Sequence, residues 1–159
     1  MSVKRLGLEL WMILTGDKPR MVFDFDDLNR EKSYAGWRRY CESKLANILW
    51  NRELARRIEG SGVTANCLHP GVVKSNLAGD NPGLFAAIWR SVGQWFMISE
   101  ARGAETSIYL CASDEVAGIS GEYFVDCKQK NPRPWAMDDE AGERLWRVTE
   151  ECTGYIFFH

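Results

Sequence analysis

Between Tyr40 and Ile58 apolar residues recur with a helical period, and they fall on two sides of the predicted helix. Leu45, Ile48 and Leu49 share one face, while Trp50, Leu54 and Ile58 share roughly the opposite one. Gly60 and Gly62 supply the stop, and the apolar run from Val63 to Leu68 predicts a strand that ends in the sharp turn signal His69-Pro70-Gly71. Upstream, Leu10 to Leu14 reads as a short buried strand closed by Thr15-Gly16-Asp17. Downstream, Glu100 to Cys111 predicts an amphipathic helix and Ser120 to Val125 a final strand. The acids of Met137-Asp138-Asp139-Glu140 suit the N-terminus of a last helix running into Arg144-Leu145-Trp146. Lys128 to Pro134 is the one linker-like stretch, and there are no internal repeats.

A helix with two apolar sides needs two covers. The pattern allows one face to pack on the sheet, and the other must find a second cover, either inside the domain or at a subunit interface. The segment between Gly83 and Ser99 is also rich in aliphatic and aromatic residues at helical spacing. It is too short to span a bilayer, so it lines a pocket, rests on a membrane surface or joins the core. Trp135 and Trp146 read as core or interface residues.

Composition narrows the class. A chain of 159 residues supports one core, and 45% hydrophobic with 26% charged residues is ordinary for a globular protein. A net charge of −2 with scattered Lys and Arg gives no footprint for nucleic acid. The five cysteines are widely spaced and form no C-x-x-C, which reads as packing in a reducing compartment and not as a disulfide or metal framework; two histidines offer little for a metal centre. No run approaches the roughly 20 apolar residues of a membrane span. The N-terminal apolar stretch is interrupted by Glu9 and lacks a small-residue cleavage site, so it does not read as a signal peptide.

The chemistry resides in Tyr40-Cys41-Glu42-Ser43-Lys44. Four residues make about one helical turn, so phenol and ammonium rise on the same face. A neutral phenol is a poor proton carrier near pH 7, and a cation fixed beside it favours the phenolate, which makes such a tyrosine a candidate general acid/base. The turn after the following strand lies at its carboxyl end, where open α/β sheets bind ligands.

Y-C-E-S-K-L-A-N-I-L-W followed by N-C-L-H-P-G-V-V-K-S-N-L resembles the short-chain dehydrogenase/reductase family, and most of all its retinol dehydrogenase branch. Further matches are Phe25-Asp26-Asp27-Leu28-Asn29 and Gly121-Glu122-Tyr123-Phe124-Val125-Asp126-Cys127-Lys128, so that the resemblance runs from about Leu8 to about Thr153. The glycine-rich T-G-x-x-x-G-x-G turn and the N-A-G motif of the family do not occur in the chain. The resemblance therefore implies an α/β fold, the C-terminal half of a Rossmann-type parallel sheet flanked by helices, without the nucleotide-binding N-terminal half. Residues 1–159 would form a single truncated domain of this family.

The resemblance further implies an oxidoreductase interconverting an alcohol and a carbonyl on a lipophilic, retinoid-like substrate. Tyr40 would be the acid/base, Lys44 would assist it and hold the nicotinamide ribose, and Thr15 would stand at the position of the family's substrate-orienting Ser. Pro70, Gly71, Val73 and Ser75 would meet the nicotinamide, and Leu84, Phe85, Ile88, Trp89 and Trp95 would line the substrate pocket. The implied cofactor is NADP, with NAD as the alternative, bound weakly by this chain alone. The other reading is a catalytically silent fragment that joins a full-length relative, or a second copy, through the helix from Tyr40 to Ile58. Either protein would be cytoplasmic or peripheral to an intracellular membrane.

Overall fold

A computed structural model describes residues 23–28, 31–32, 34, 36–71, 73 and 98–156. Thr15, Ser75 and the proposed pocket residues Leu84, Phe85, Ile88, Trp89 and Trp95 lie outside the described residues, as does the strand expected at Leu10 to Leu14. Three α-helices carry the described fold: α1 Gly36–Arg57, α2 Glu100–Ala112 and α3 Asp139–Thr153. Three short strands, β1 Cys67–His69, β2 Tyr123–Val125 and β3 Lys128–Lys130, form one sheet in the order β1-β2-β3. β1 and β2 run parallel, with Cys67 opposite Tyr123 and His69 opposite Val125, and β3 returns antiparallel to β2. The chain is thus α/β, with a parallel pair flanked by helices as in part of a Rossmann-type sheet.

β3 corrects the sequence reading, since Lys128 to Lys130 belong to a hairpin strand and not to a linker. The turn is two residues long, and both Asp126 (φ 53°) and Cys127 (φ 56°) are left-handed, the geometry that matches the twist of a tight hairpin. Buried Thr106 of α2 holds this turn by accepting the Cys127 N–H at 3.2 Å. All three residues of β3 are exposed, and the two lysines suit an edge strand.

The start of the parallel pair is stapled by side chains. Asn66 Oδ1 accepts the Glu122 N–H at 3.0 Å while its Nδ2 donates to the Ile119 carbonyl at 2.6 Å. The Gly121 N–H reaches the Ala65 carbonyl at 2.7 Å, and the Ala65 N–H the Ser120 Oγ at 3.1 Å.

The two-sided helix finds covers other than those expected. Leu45, Leu49 and Ala136 form a buried cluster, with Phe23, Ile48, Trp135, Ala141 and Leu145 packed against it. The Leu45, Ile48 and Leu49 face therefore lies on the C-terminal helix and the 3-10 turn Pro134–Met137 before it. On the other side Trp50 stacks on Trp146 of α3, ring centroids 4.9 Å apart, with the Arg57 guanidinium 4.7 Å from the Trp146 ring. Trp146 is fully buried, and Ile58 is buried as well. Both apolar sides of α1 thus gain cover within the chain. Gly142 permits the close approach of the helices, because a Cβ there would stand 3.3 Å from the Leu49 carbonyl oxygen.

Buried acids fix α1 further. Glu42 is held by Arg38 at 3.0 Å and Arg39 at 2.9 Å, and Glu53 by Arg56 at 2.6 Å and Arg57 at 2.7 Å. Arg39 also donates to the Leu28 carbonyl, tying the 3-10 turn Phe25–Asp27 to the end of α1 that carries Tyr40. α3 is capped by the Asp138 carboxylate, which accepts the Ala141 N–H at 3.0 Å, and closes at Gly154 (φ 68°). Among the described residues no helix is long and apolar enough to cross a membrane.

Candidate functional site

Tyr40 and Lys44 stand one turn apart near the N-terminal end of α1, and both side chains are exposed, Tyr40 at 41%. The Lys44 ammonium lies over the Tyr40 ring, 5.3 Å from its centroid. That is cation–π range, so the two groups form one unit at the helix surface. Next to them Cys41 is buried, and its thiol is pushed above the usual range by burial first and by the Glu42 carboxylate second.

Behind this pair, α1 packs against the start of the parallel strands. Ala55 of α1 packs 3.4 Å from the position of a Cβ on Gly121, which is bonded to Ala65. The charge of Arg52, one turn earlier on α1, is felt at Cys67 of β1. Cys67 itself is pushed up to about 11, above all by burial.

At the end of β1 the His69 Nδ1 accepts the Gly71 N–H at 2.9 Å, which folds the chain sharply around exposed Pro70. Gly71 is left-handed (φ 88°), and a Cβ there would come 2.7 Å from Ile98 Cδ1, so glycine serves both the turn and the close approach. Val73 pairs with Ile98 in a parallel bridge and lies so near Gly103 of α2 that a Cβ on Gly103 would meet Val73 Cγ2 at 2.5 Å. Loss of solvent around the His69 ring outweighs the opposing pull of Asp126 and holds the imidazole below its usual range, although part of the residue stays open to water. Asp126 follows Val125, the register partner of His69, and so sits at the same end of the sheet.

Tyr40 and Lys44 thus share one turn of α1, and Pro70, Gly71 and Val73 share the loop after β1. His69 and Thr106 join them without having been singled out for a role in the sequence. The H-x-G spacing at a strand end was the available signal for His69; for Thr106, mid-helix in an otherwise polar stretch, there was none. Among the described residues no cluster of His, Cys, Asp and Glu could hold a metal ion.

No family model matches the chain. Among curated proteins, it is 47% identical over 135 residues to human retinol dehydrogenase 14, and the match covers 84% of this chain and 40% of that protein. Human retinol dehydrogenase 13 is 42% identical over 137 residues, covering 82% of the chain and 41% of the relative. Human retinol dehydrogenase 12 is 42% identical over 130 residues, covering 82% and 40%. The chain spans about 40% of the length of the curated relatives it matches. The chain belongs to the short-chain dehydrogenase/reductase family, and it corresponds to the C-terminal part of its retinol dehydrogenase members.

Proposed function

We propose that residues 1–159 form the part of a short-chain dehydrogenase/reductase domain that supplies the proton-transfer and substrate side of an NADP(H)-dependent alcohol/carbonyl oxidoreductase acting on a retinoid-like substrate. The observation that carries the reading is the exposed Tyr40–Lys44 pair on one turn of α1, in a chain whose parallel strand β1 runs into the left-handed Gly71 turn at its carboxyl end. The Tyr40 hydroxyl would give its proton to the carbonyl oxygen in reduction and take it back in oxidation, and the Lys44 ammonium would supply the positive charge that favours the intervening phenolate. The nicotinamide cofactor, when bound, supplies or accepts the hydride.

The described residues suit one side of that cofactor. Gly71 offers a backbone without a side chain, Pro70 stiffens the exit from β1, and Val73 is pinned between Ile98 and α2, so the backbone of this loop is held for close approach. Lys44 would meet the ribose, with Ser75 and Thr15 as further hydroxyl partners. Leu84, Phe85, Ile88, Trp89 and Trp95 would surround the lipophilic chain of the substrate. The alternative reading, an interaction fragment docking through α1, is weakened by the cover that Trp146 and the α3 cluster already give that helix.

The test is complementation. The chain, fused behind the nucleotide-binding part of human retinol dehydrogenase 14, should reduce retinal with NADPH. A soluble, folded fusion that binds NADPH yet turns over neither retinal nor simpler aldehydes would refute the proposal.

A further inference from the structure

His69 has no part in the proton transfer outlined above, yet its ring is built into the loop. Its Nδ1 accepts the Gly71 N–H at 2.9 Å, which requires that nitrogen to be unprotonated. The bond spans the exposed Pro70, and Gly71 is the residue whose left-handed backbone and contact with Ile98 set the path to Val73. We propose that His69 is a positioning residue that latches the Pro70–Val73 loop through the Gly71 N–H, and that protonation of its ring releases the latch. The consequence for catalysis rests on the reading that this loop faces the nicotinamide; the latch itself does not.

The surroundings define the neutral state. Solvent loss around the ring favours the uncharged imidazole, while Asp126, in the β2–β3 turn beside the end of β1, favours the charged form and is the weaker influence. Among the other charged groups near β1, Arg52 of α1 acts on Cys67, two residues back. On the α2 side, the groups packed against the loop and the neighbouring turn are the uncharged Gly103 and Thr106. With Nδ1 accepting, the neutral ring carries its proton on Nε2. Adding a second proton at Nδ1 replaces the acceptor by a donor facing the Gly71 N–H, so the bond cannot survive.

Hydrogen exchange at the Gly71 amide tests this on the 159-residue chain without cofactor, read residue by residue by mass spectrometry with electron-transfer fragmentation and corrected for intrinsic pH dependence. At pH 7.5 the amide should exchange about tenfold more slowly than in His69→Ala, the factor expected for one net hydrogen bond. As the pH falls through the folded-state value of His69, which lies below the usual histidine range and is followed on the ring by NMR, that protection should vanish in the wild type. His69→Asn offers a side-chain oxygen in place of Nδ1 without titrating, so its protection should persist throughout. Equal exchange in wild type and His69→Ala at pH 7.5 would overturn the latch, and so would wild-type protection that persists once NMR shows the ring protonated. Helical content of each variant, followed by circular dichroism, separates local release from unfolding. Because no turnover is measured, failure of the latch and failure of the oxidoreductase reading are distinguishable.

Discussion

Replacing Trp146 by alanine should remove the main fastening between α3 and the helix that carries Tyr40 and Lys44. The indole is fully buried, stacks on Trp50 at 4.9 Å, receives Arg57 at 4.7 Å and donates Nε1–H to Glu150 at 2.9 Å. A Trp side chain buries about 150–250 Å², which at about 25 cal/mol per Å² is about 4–6 kcal/mol before the alanine remnant and the compactness of the unfolded chain are subtracted. Measured truncations of buried aromatics cost about 3–5 kcal/mol, so about 4 kcal/mol is the expected loss. That is about a quarter or more of the roughly 5–15 kcal/mol that holds an ordinary domain together. Trp146→Phe keeps a ring against Trp50 and gives up the indole N–H, and should cost about 1–2 kcal/mol. Urea unfolding followed by far-ultraviolet circular dichroism is the assay, because fluorescence would be confounded by the loss of one of seven tryptophans. A loss below about 1 kcal/mol for Trp146→Ala would refute the claim that α3 clamps α1.

Three further outcomes follow from local geometry and charge. Cys127→Gly should stabilise the chain by about 0.5–1 kcal/mol in the same urea assay, since Cys127 sits at φ 56° where a glycine is unstrained. Destabilisation would show that its contact with Thr106 outweighs the backbone strain. In thiol labelling near neutral pH, the exposed Cys111 and Cys152 should react first, while Cys67, pushed up to about 11, and the buried Cys41 should lag until the fold opens. Early modification of Cys67 would contradict its burial. Calorimetric titration of the chain alone with NADPH should show binding weaker than micromolar, since no glycine-rich phosphate turn occurs in it; micromolar affinity would reject that expectation.

Stability should also depend on acid through His69. Its folded-state value is depressed, so the unfolded chain binds the proton more readily and the stability contributed by the neutral ring is present above the ordinary histidine value of about 6.5. That contribution is lost as the pH falls through the folded value. His69→Asn should flatten this part of the pH profile, and an unaltered slope between pH 7 and 5 would assign it to other groups.

The spacing of Leu45, Ile48, Leu49, Trp50 and Leu54 made α1 legible, because periodicity reports which residues turn inward. It does not report what they meet, and the cover found over Leu45 and Leu49 is α3 and the turn before it. The strand β3 escaped notice for a different reason. Its hairpin turn uses Asp126 and Cys127 in left-handed conformations, where the usual signal would be a glycine. At the candidate site the Tyr40 and Lys44 pairing was visible from one helical turn of spacing, and the Gly71 turn from its Pro-Gly signature. The latch from His69 depends on the ring's protonation and on a two-residue backbone geometry, neither of which leaves a periodic trace.

The central claim is that Tyr40 transfers the proton while Lys44 and the Gly71 loop hold the partners in place. Its most direct test is Tyr40→Phe in the fusion that supplies the nucleotide-binding half, comparing retinal turnover with NADPH affinity in the same preparation. Loss of the hydroxyl alone should lower turnover by a factor on the order of 10²–10⁴, the usual contribution of a general acid, while NADPH affinity changes less than about twofold. Turnover retained within tenfold of the parent would contradict the account and remove Tyr40 from the chemistry.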